Sequence, residues 1–250
     1  MKLVLLTALG VGGATVVGSV LGFIFKRITH KFSELVVSFA AGIMLAAAVI
    51  GLILPSLEYG RKFSLLITIS GVFAGALFLN VLDRIVPHLH KFVGSEIEPH
   101  NNRGLSRVLL FVSAIAIHNL PEGIAAGVGF GGGDISRGLL ISFGIALQNI
   151  PEGMIIISPM LSAGVSPRKT FLCALFTGFI EVVGTVIGYF AVSISNAILP
   201  FALAFAGGTM LYIVSDEMIP EIHTRNNQRG ITYALLIGFC IILIFENSFA

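Results

Sequence analysis

The chain has 250 residues, of which 56% are hydrophobic and 11% charged, with a mean hydropathy of +0.97. A soluble domain of this size carries about 25% charged residues, so there is too little polar surface to coat a water-exposed globule. That excludes a separate soluble domain and leaves one all-α integral membrane domain over residues 1–250. The net charge of +2 carries no nucleic-acid signal, because its distribution follows membrane topology. Cys173 and Cys240 are too few for a disulfide framework or a thiolate cluster, and both read as core packing.

Taken in chain order, hydropathy gives eight spans of about the 20 residues a bilayer requires. They are Leu3–Phe25, Leu35–Leu57, Phe63–Leu82, Val108–Phe130, Leu139–Leu161, Thr170–Ile194, Ile198–Ile219 and Ile231–Phe245. The first is longer than the apolar stretch of a secretory signal and is followed at once by Lys26 and Arg27, which favours a transmembrane helix. None shows strand alternation, and lipid obliges each backbone group to find a partner within its own segment, so all eight are helices.

Lys and Arg set the expected orientation. Eleven of the fifteen fall in the loops after spans one, three, five and seven, including Arg84, Lys91, Arg103 and Arg107. Both termini are therefore expected outside, with the longest loop (83–107) in the cytoplasm. The expected location is a plasma or inner membrane, multi-pass.

The fourth and fifth spans carry two copies of one motif 30 residues apart: His118-Asn119-Leu120-Pro121-Glu122-Gly123 and Gln148-Asn149-Ile150-Pro151-Glu152-Gly153. The spans run in opposite directions, so the copies form an inverted repeat facing each other across a pseudo-twofold axis, a recurrent device in transporters. Pro121 and Pro151 remove an N–H from the ladder and free the carbonyls of Ile117 and Leu147, which makes helices four and five broken ones. Gly123 and Gly153 permit close approach or local unwinding.

His118 and Glu122 are four residues apart on one helix face, about 5–6 Å between Cβ atoms, and can meet on one cation at bonds of about 2 Å. Gln148 and Glu152 repeat that geometry. Asn119 and Asn149 lie about 100° round each helix and can face a second cation, with the glutamates bridging. Glu181 places a third carboxylate near the middle of span six. Each charge at a helix centre costs about 2.5–3.5 kcal/mol, roughly 8–10 for three, if unpaired. No Lys or Arg sits at that depth, which leaves protons or metal cations as the neutralising species.

A single Glu or Asn in a membrane helix is usually an interhelical hydrogen-bond link, and it is the convergence of seven such residues in three spans that favours a cation site. Met44, mid-span in the second helix, is core by default and a soft ligand otherwise. Asp216, Glu217 and Glu221 at the cytoplasmic end of span seven are either solvated acids or an exit path for cations. His88, His90 and His100 in the long loop are either ordinary loop polarity or metal capture. Gly131-Gly132-Gly133-Asp134 is an outer turn and lacks the strand-to-helix context of a phosphate loop.

At these residues the chain resembles the ZIP (Zrt/Irt-like protein) family of divalent metal transporters along nearly its whole length. His-Asn-x-Pro-Glu-Gly in span four carries most of the likeness. Ala40-Ala41-Gly42-Ile43-Met44-Leu45-Ala46-Ala47-Ala48 in span two and the His-containing loop add to it. The Gln148 form of the second motif, Gly127-Val128-Gly129-Phe130 and Ser215-Asp216-Glu217-Met218-Ile219-Pro220-Glu221 resemble its GufA-like branch. The resemblance implies a binuclear site that carries Zn²⁺, or a related divalent metal such as iron, manganese, cadmium or cobalt, into the cytoplasm. His118, Glu122, Gln148, Glu152 and Met44 would hold one ion. Asn119, Asn149 and Glu181 would hold the other, with Glu122 and Glu152 shared. Many members have His where this chain has Gln148, which weakens the donor set for zinc.

The expected function is therefore divalent-metal uptake by alternating access, with metal ions and the lipid bilayer as partners, no nucleic acid, and a homodimer as one candidate assembly. Two other classes compete. An intramembrane metal-dependent hydrolase should carry two or three histidines around an open coordination position, often as His-Glu-x-x-His, which is absent. A proton-coupled solute carrier should show an aromatic or Arg-lined pocket at motif depth, and the chain has no Trp.

Overall fold

The computed structural model describes residues 1–25, 29–60, 63–85, 103–162, 164–195, 197–222 and 228–249. The helices are α1 (Lys2–Phe25), α2 (His30–Ala46), α3 (Leu54–Tyr59), α4 (Ser64–Ile85), α5 (Arg103–Gly129), α6 (Ile135–Ser162), α7 (Pro167–Ile194), α8 (Leu199–Ile213), α9 (Ile219–Ile222) and α10 (Gln228–Phe249). Two π-helical segments, Ala47–Ile53 and Val214–Met218, weld α2 to α3 and α8 to α9. These welds turn the ten helices into eight rods, matching the eight spans read from hydropathy. Among the described residues there is no strand. Seven of the rods are long and apolar enough to cross a membrane. The remaining one, α5, is 27 residues long, about 40 Å at 1.5 Å per residue. The chain is a multi-pass helical membrane protein.

Both π segments stand just ahead of a proline, Pro55 or Pro220. A proline ring crowds the carbonyl four residues back and offers no N–H. Widening the ladder to five-residue bonds relieves that crowding: the Leu54 N–H donates to the Val49 carbonyl, and the Ile219 N–H to that of Val214. Pro121 and Pro151 act differently. They sit inside α5 and α6 and interrupt the ladder by one bond while the helix continues on both sides.

Helix pairing follows the small residues. The α5–α7, α1–α6, α4–α8 and α2–α10 pairs are the extensive interfaces, with α1 also packed on α7. In each, glycines let one backbone rest on another, as membrane helices require when there is no hydrophobic force between them. Large apolar side chains such as Leu66, Phe73, Phe179 and Ile244 point outward, where lipid would receive them. Cys240 on α10 is exposed as well, and Cys173 on α7 is only half-buried. The expectation that both pack in the core is corrected for Cys240: an apolar run does not reveal which of its faces meets lipid.

The pairings contain an internal symmetry. Exchanging the first three rods with the last three, and α5 with α6, carries the α5–α7 pair onto α6–α1, and α4–α8 onto α10–α2. The correspondence holds residue by residue. Gly12 and Gly178 abut one another's backbones, Gly18 meets Ile150 as Gly184 meets Leu120, and Gly22 meets Met154 as Gly188 meets Ile124. Each of these glycine pairs is separated by 166 residues, the separation that also joins Thr15 to Glu181. Rods an odd number of crossings apart run in opposite directions, so the repeat is inverted.

Candidate metal centre

The two motif helices, α5 and α6, cross at the centre of the bundle and bring their polar residues together near mid-helix. The motif glycines dock them on their outer neighbours. A Cβ on Gly123 would lie 2.9 Å from the Cα of Glu181 on α7, and one on Gly153 would lie 3.0 Å from the carbonyl carbon of Thr15 on α1. Of the two roles open to these glycines from sequence, the observed one is close approach. It is what delivers Glu181 and Thr15 to the site.

Glu181 is the best-satisfied carboxylate. It is fully buried, and its Oε1 accepts from Thr15 Oγ1 at 2.9 Å and from Asn119 Nδ2, while Oε2 accepts from Asn149 Nδ2 at 2.6 Å. Asn149 Nδ2 also donates to the carbonyl of Val11 at 3.2 Å. Four helices thus meet on this carboxylate, with neutral donors only.

Glu122, 1% exposed, accepts at Oε1 from Gln148 Nε2 at 2.9 Å. Its other oxygen has no hydrogen-bond partner, and neither do Gln148 Oε1 and Asn149 Oδ1. All three are acceptors, in surroundings where an unpaired polar atom costs about 1–3 kcal/mol. A cluster short only of donors calls for positive charge. Glu152, half-buried, lies within electrostatic reach of Glu122, Glu181, His118 and Glu217.

His118 reaches the neighbouring rod, where its Nε2 lies 2.9 Å from Glu217 Oε1. Glu217 sits in the π segment Val214–Met218, whose extra residue rotates the acid relative to a regular helix. Glu217, read from sequence as an exit-path residue, therefore contacts the motif histidine directly. Asp216 beside it is exposed. Met44 is 1% exposed and belongs to the hydrophobic core with Ala47, Ala48, Ile141 and Ile145. The side chain of Glu221 and the residues His88, His90 and His100 lie outside the described residues. Among the described residues no three His, Cys, Asp or Glu side chains are gathered as a metal-binding group; the acids are spread among amide and hydroxyl partners instead. Sequence reading missed Thr15, whose available signal was its place after the small residues Gly12, Gly13 and Ala14.

A bundle of membrane-crossing helices around three inward carboxylates defines a polytopic membrane protein with an acidic interior. The family model described as ZIP Zinc transporter matches residues 94–246. The chain is 36% identical to the zinc transporter GufA of Myxococcus xanthus, with 98% of each covered. It is 32% identical to the zinc transporter ZIPB of Bordetella bronchiseptica, over 94% of this chain and 77% of that one. It is also 32% identical to the zinc transporter ZupT of Chlorobaculum parvum, over 94% of both. The chain belongs to the ZIP family, a family of transporters rather than enzymes.

Proposed function

We propose that this chain moves Zn²⁺, or a related divalent ion, into the cytoplasm through two adjacent intramembrane positions that open alternately to either side. The observation that carries the reading is electrostatic: Glu122, Glu152 and Glu181 converge with no Lys or Arg beside them among the described residues, and the unpartnered atoms there are all oxygen acceptors. Two divalent ions bring four positive charges against three negative ones, which is sufficient compensation. One ion takes His118, Glu122, Gln148, Glu152 and Met44, with His118 released from Glu217. The second takes Asn119, Asn149 and Glu181, with Glu122 and Glu152 bridging. Hard oxygen donors outnumber the single imidazole, which extends selectivity beyond zinc to manganese, iron and cobalt, while cadmium, a softer ion, would rely on Met44. The positive loops orient the protein with both termini outside and residues 83–107 in the cytoplasm, so the ion leaves on the side of Asp216, Glu217 and Glu221.

The test is influx into proteoliposomes loaded with a metal-sensing dye, comparing Zn²⁺, Mn²⁺, Fe²⁺, Cd²⁺ and Co²⁺. Wild type should carry Zn²⁺, and Glu122→Ala should reduce the initial rate to background. Equal influx in the mutant refutes the site assignment.

A further inference from the structure

We infer that Thr15 is a residue of the transport site, a positioning residue whose hydroxyl holds Glu181 in place as the ion enters. The inference rests on the reading above of Glu181 as part of that site. Thr15 occupies, in the first rod, the place that Glu181 occupies in the sixth. Each lies three residues after one member of the Gly12–Gly178 pair, and each presents its backbone to a motif glycine, Thr15 to Gly153 and Glu181 to Gly123. The symmetry mates then bond to one another across the axis, Thr15 Oγ1 to Glu181 Oε1 at 2.9 Å. Thr15 is 1% exposed and Glu181 is fully buried.

The chemistry of the three donors separates their roles. Asn119 and Asn149 hold Glu181 through their N–H groups. An amide nitrogen does not ligate a cation, so an ion beside Glu181 calls on the oxygens of these amides, and each asparagine then has to serve the ion and the carboxylate at once. The threonine hydroxyl has no such conflict, because it donates to the carboxylate from α1 and need not be a ligand. Of the three donors it is the one with no second task as the ion enters. Val11, one turn away on the same helix, accepts from Asn149, so α1 supports both sides of this half of the site.

The test is the concentration dependence of Zn²⁺ influx for Thr15→Val, which keeps the shape and removes the hydroxyl, and Thr15→Ser, which keeps the hydroxyl. The lost bond is charge-assisted, so Thr15→Val should raise KM about tenfold with kcat within about twofold, and Thr15→Ser should match wild type. A wild-type KM in Thr15→Val overturns the inference, as does a Thr15→Ser as impaired as Thr15→Val. Should Thr15→Val fail to fold, Thr15→Ala serves in the same comparison. The melting temperature of the purified ion-free protein closes a double-mutant cycle: Thr15→Val should lower it in wild type and leave it unchanged on a Glu181→Ala background. Additive effects refute action through Glu181. This cycle reads out even where Glu122→Ala transports normally, so failure of the site and failure of the Thr15 role are told apart.

Discussion

Gly123→Ala adds one methyl group where α5 rests on α7. The new Cβ would stand 2.9 Å from Glu181 Cα and nearer still to its carbonyl oxygen, whereas ordinary contact begins at 3.4 Å. Both atoms belong to helix backbone and cannot swing aside, so the helices must part by roughly 1 Å to regain contact distance. The Asn119–Glu181 hydrogen bond, which spans the same α5–α7 interface, would then stretch by about the same 1 Å, beyond the useful range. Overpacking costs about 1–3 kcal/mol and a charge-assisted bond about 1.5–3 kcal/mol; with partial relaxation we expect about 2–4 kcal/mol in total. For a chain of this size that is a fall of roughly 5–10 °C in melting temperature, measured by differential scanning fluorimetry in detergent. Gly153→Ala should behave alike, because its Cβ would lie 3.0 Å from Thr15 backbone. Gly13→Ala is the control: nothing stands within 4 Å of its Cβ, and helix propensity favours Ala by about 1 kcal/mol. A Gly123→Ala protein that melts within a degree of wild type would refute the claim that these motif glycines set the helix spacing.

Other expectations follow from single features. Pro220→Ala removes the ring that widens the helix at Val214–Met218; if the ladder tightens to regular bonds, Glu217 turns by up to about 100° and leaves His118, so Zn²⁺ influx should fall by at least fivefold while folding is retained. Influx at the wild-type rate would show that the proline does not aim Glu217. Arg137 lies 3.5 Å from Glu58, 3.6 Å from Asp134, and over the ring of Tyr59 at 5.2 Å. Glu58 is 70% exposed, so Arg137→Gln should cost about 1 kcal/mol or less; a drop of more than about 4 °C in melting temperature would indicate a larger structural role. In detergent, N-ethylmaleimide should label Cys240 faster than Cys173, following their exposure, and mass spectrometry of the two peptides decides the order.

The spans were legible because hydropathy alone drives insertion. The eight rods end within a few residues of the hydropathy limits, the widest differences being at α2 and α5, which start at His30 and Arg103 rather than Leu35 and Val108. Glu122, Glu152, Glu181 and the two asparagines were legible for the same reason in reverse, since polar groups stand out in an apolar run. Thr15 did not stand out. A threonine costs little in lipid, and its importance comes from a partner 166 residues away. The π segments were hidden as well, because Pro55 and Pro121 look alike on the page and differ only in how the surrounding helix relieves them. The joining of Glu217 to His118 depends on that relief, so the sequence could only put Glu217 at a helix end. Which apolar face meets lipid, the point missed for Cys240, depends on neighbours that no single span specifies.

The bond between Thr15 and Glu181 ties the two halves of the inverted repeat together at a position where one half carries an alcohol and the other an acid. Two identical halves would form a site indifferent to which side of the membrane faces it. Placing the acid on one copy and the alcohol on the other gives the interior a polarity. The exchanged protein, Thr15→Glu with Glu181→Thr, would move the acid from α7 to α1 while His118 and Gln148 keep the two motif helices unlike.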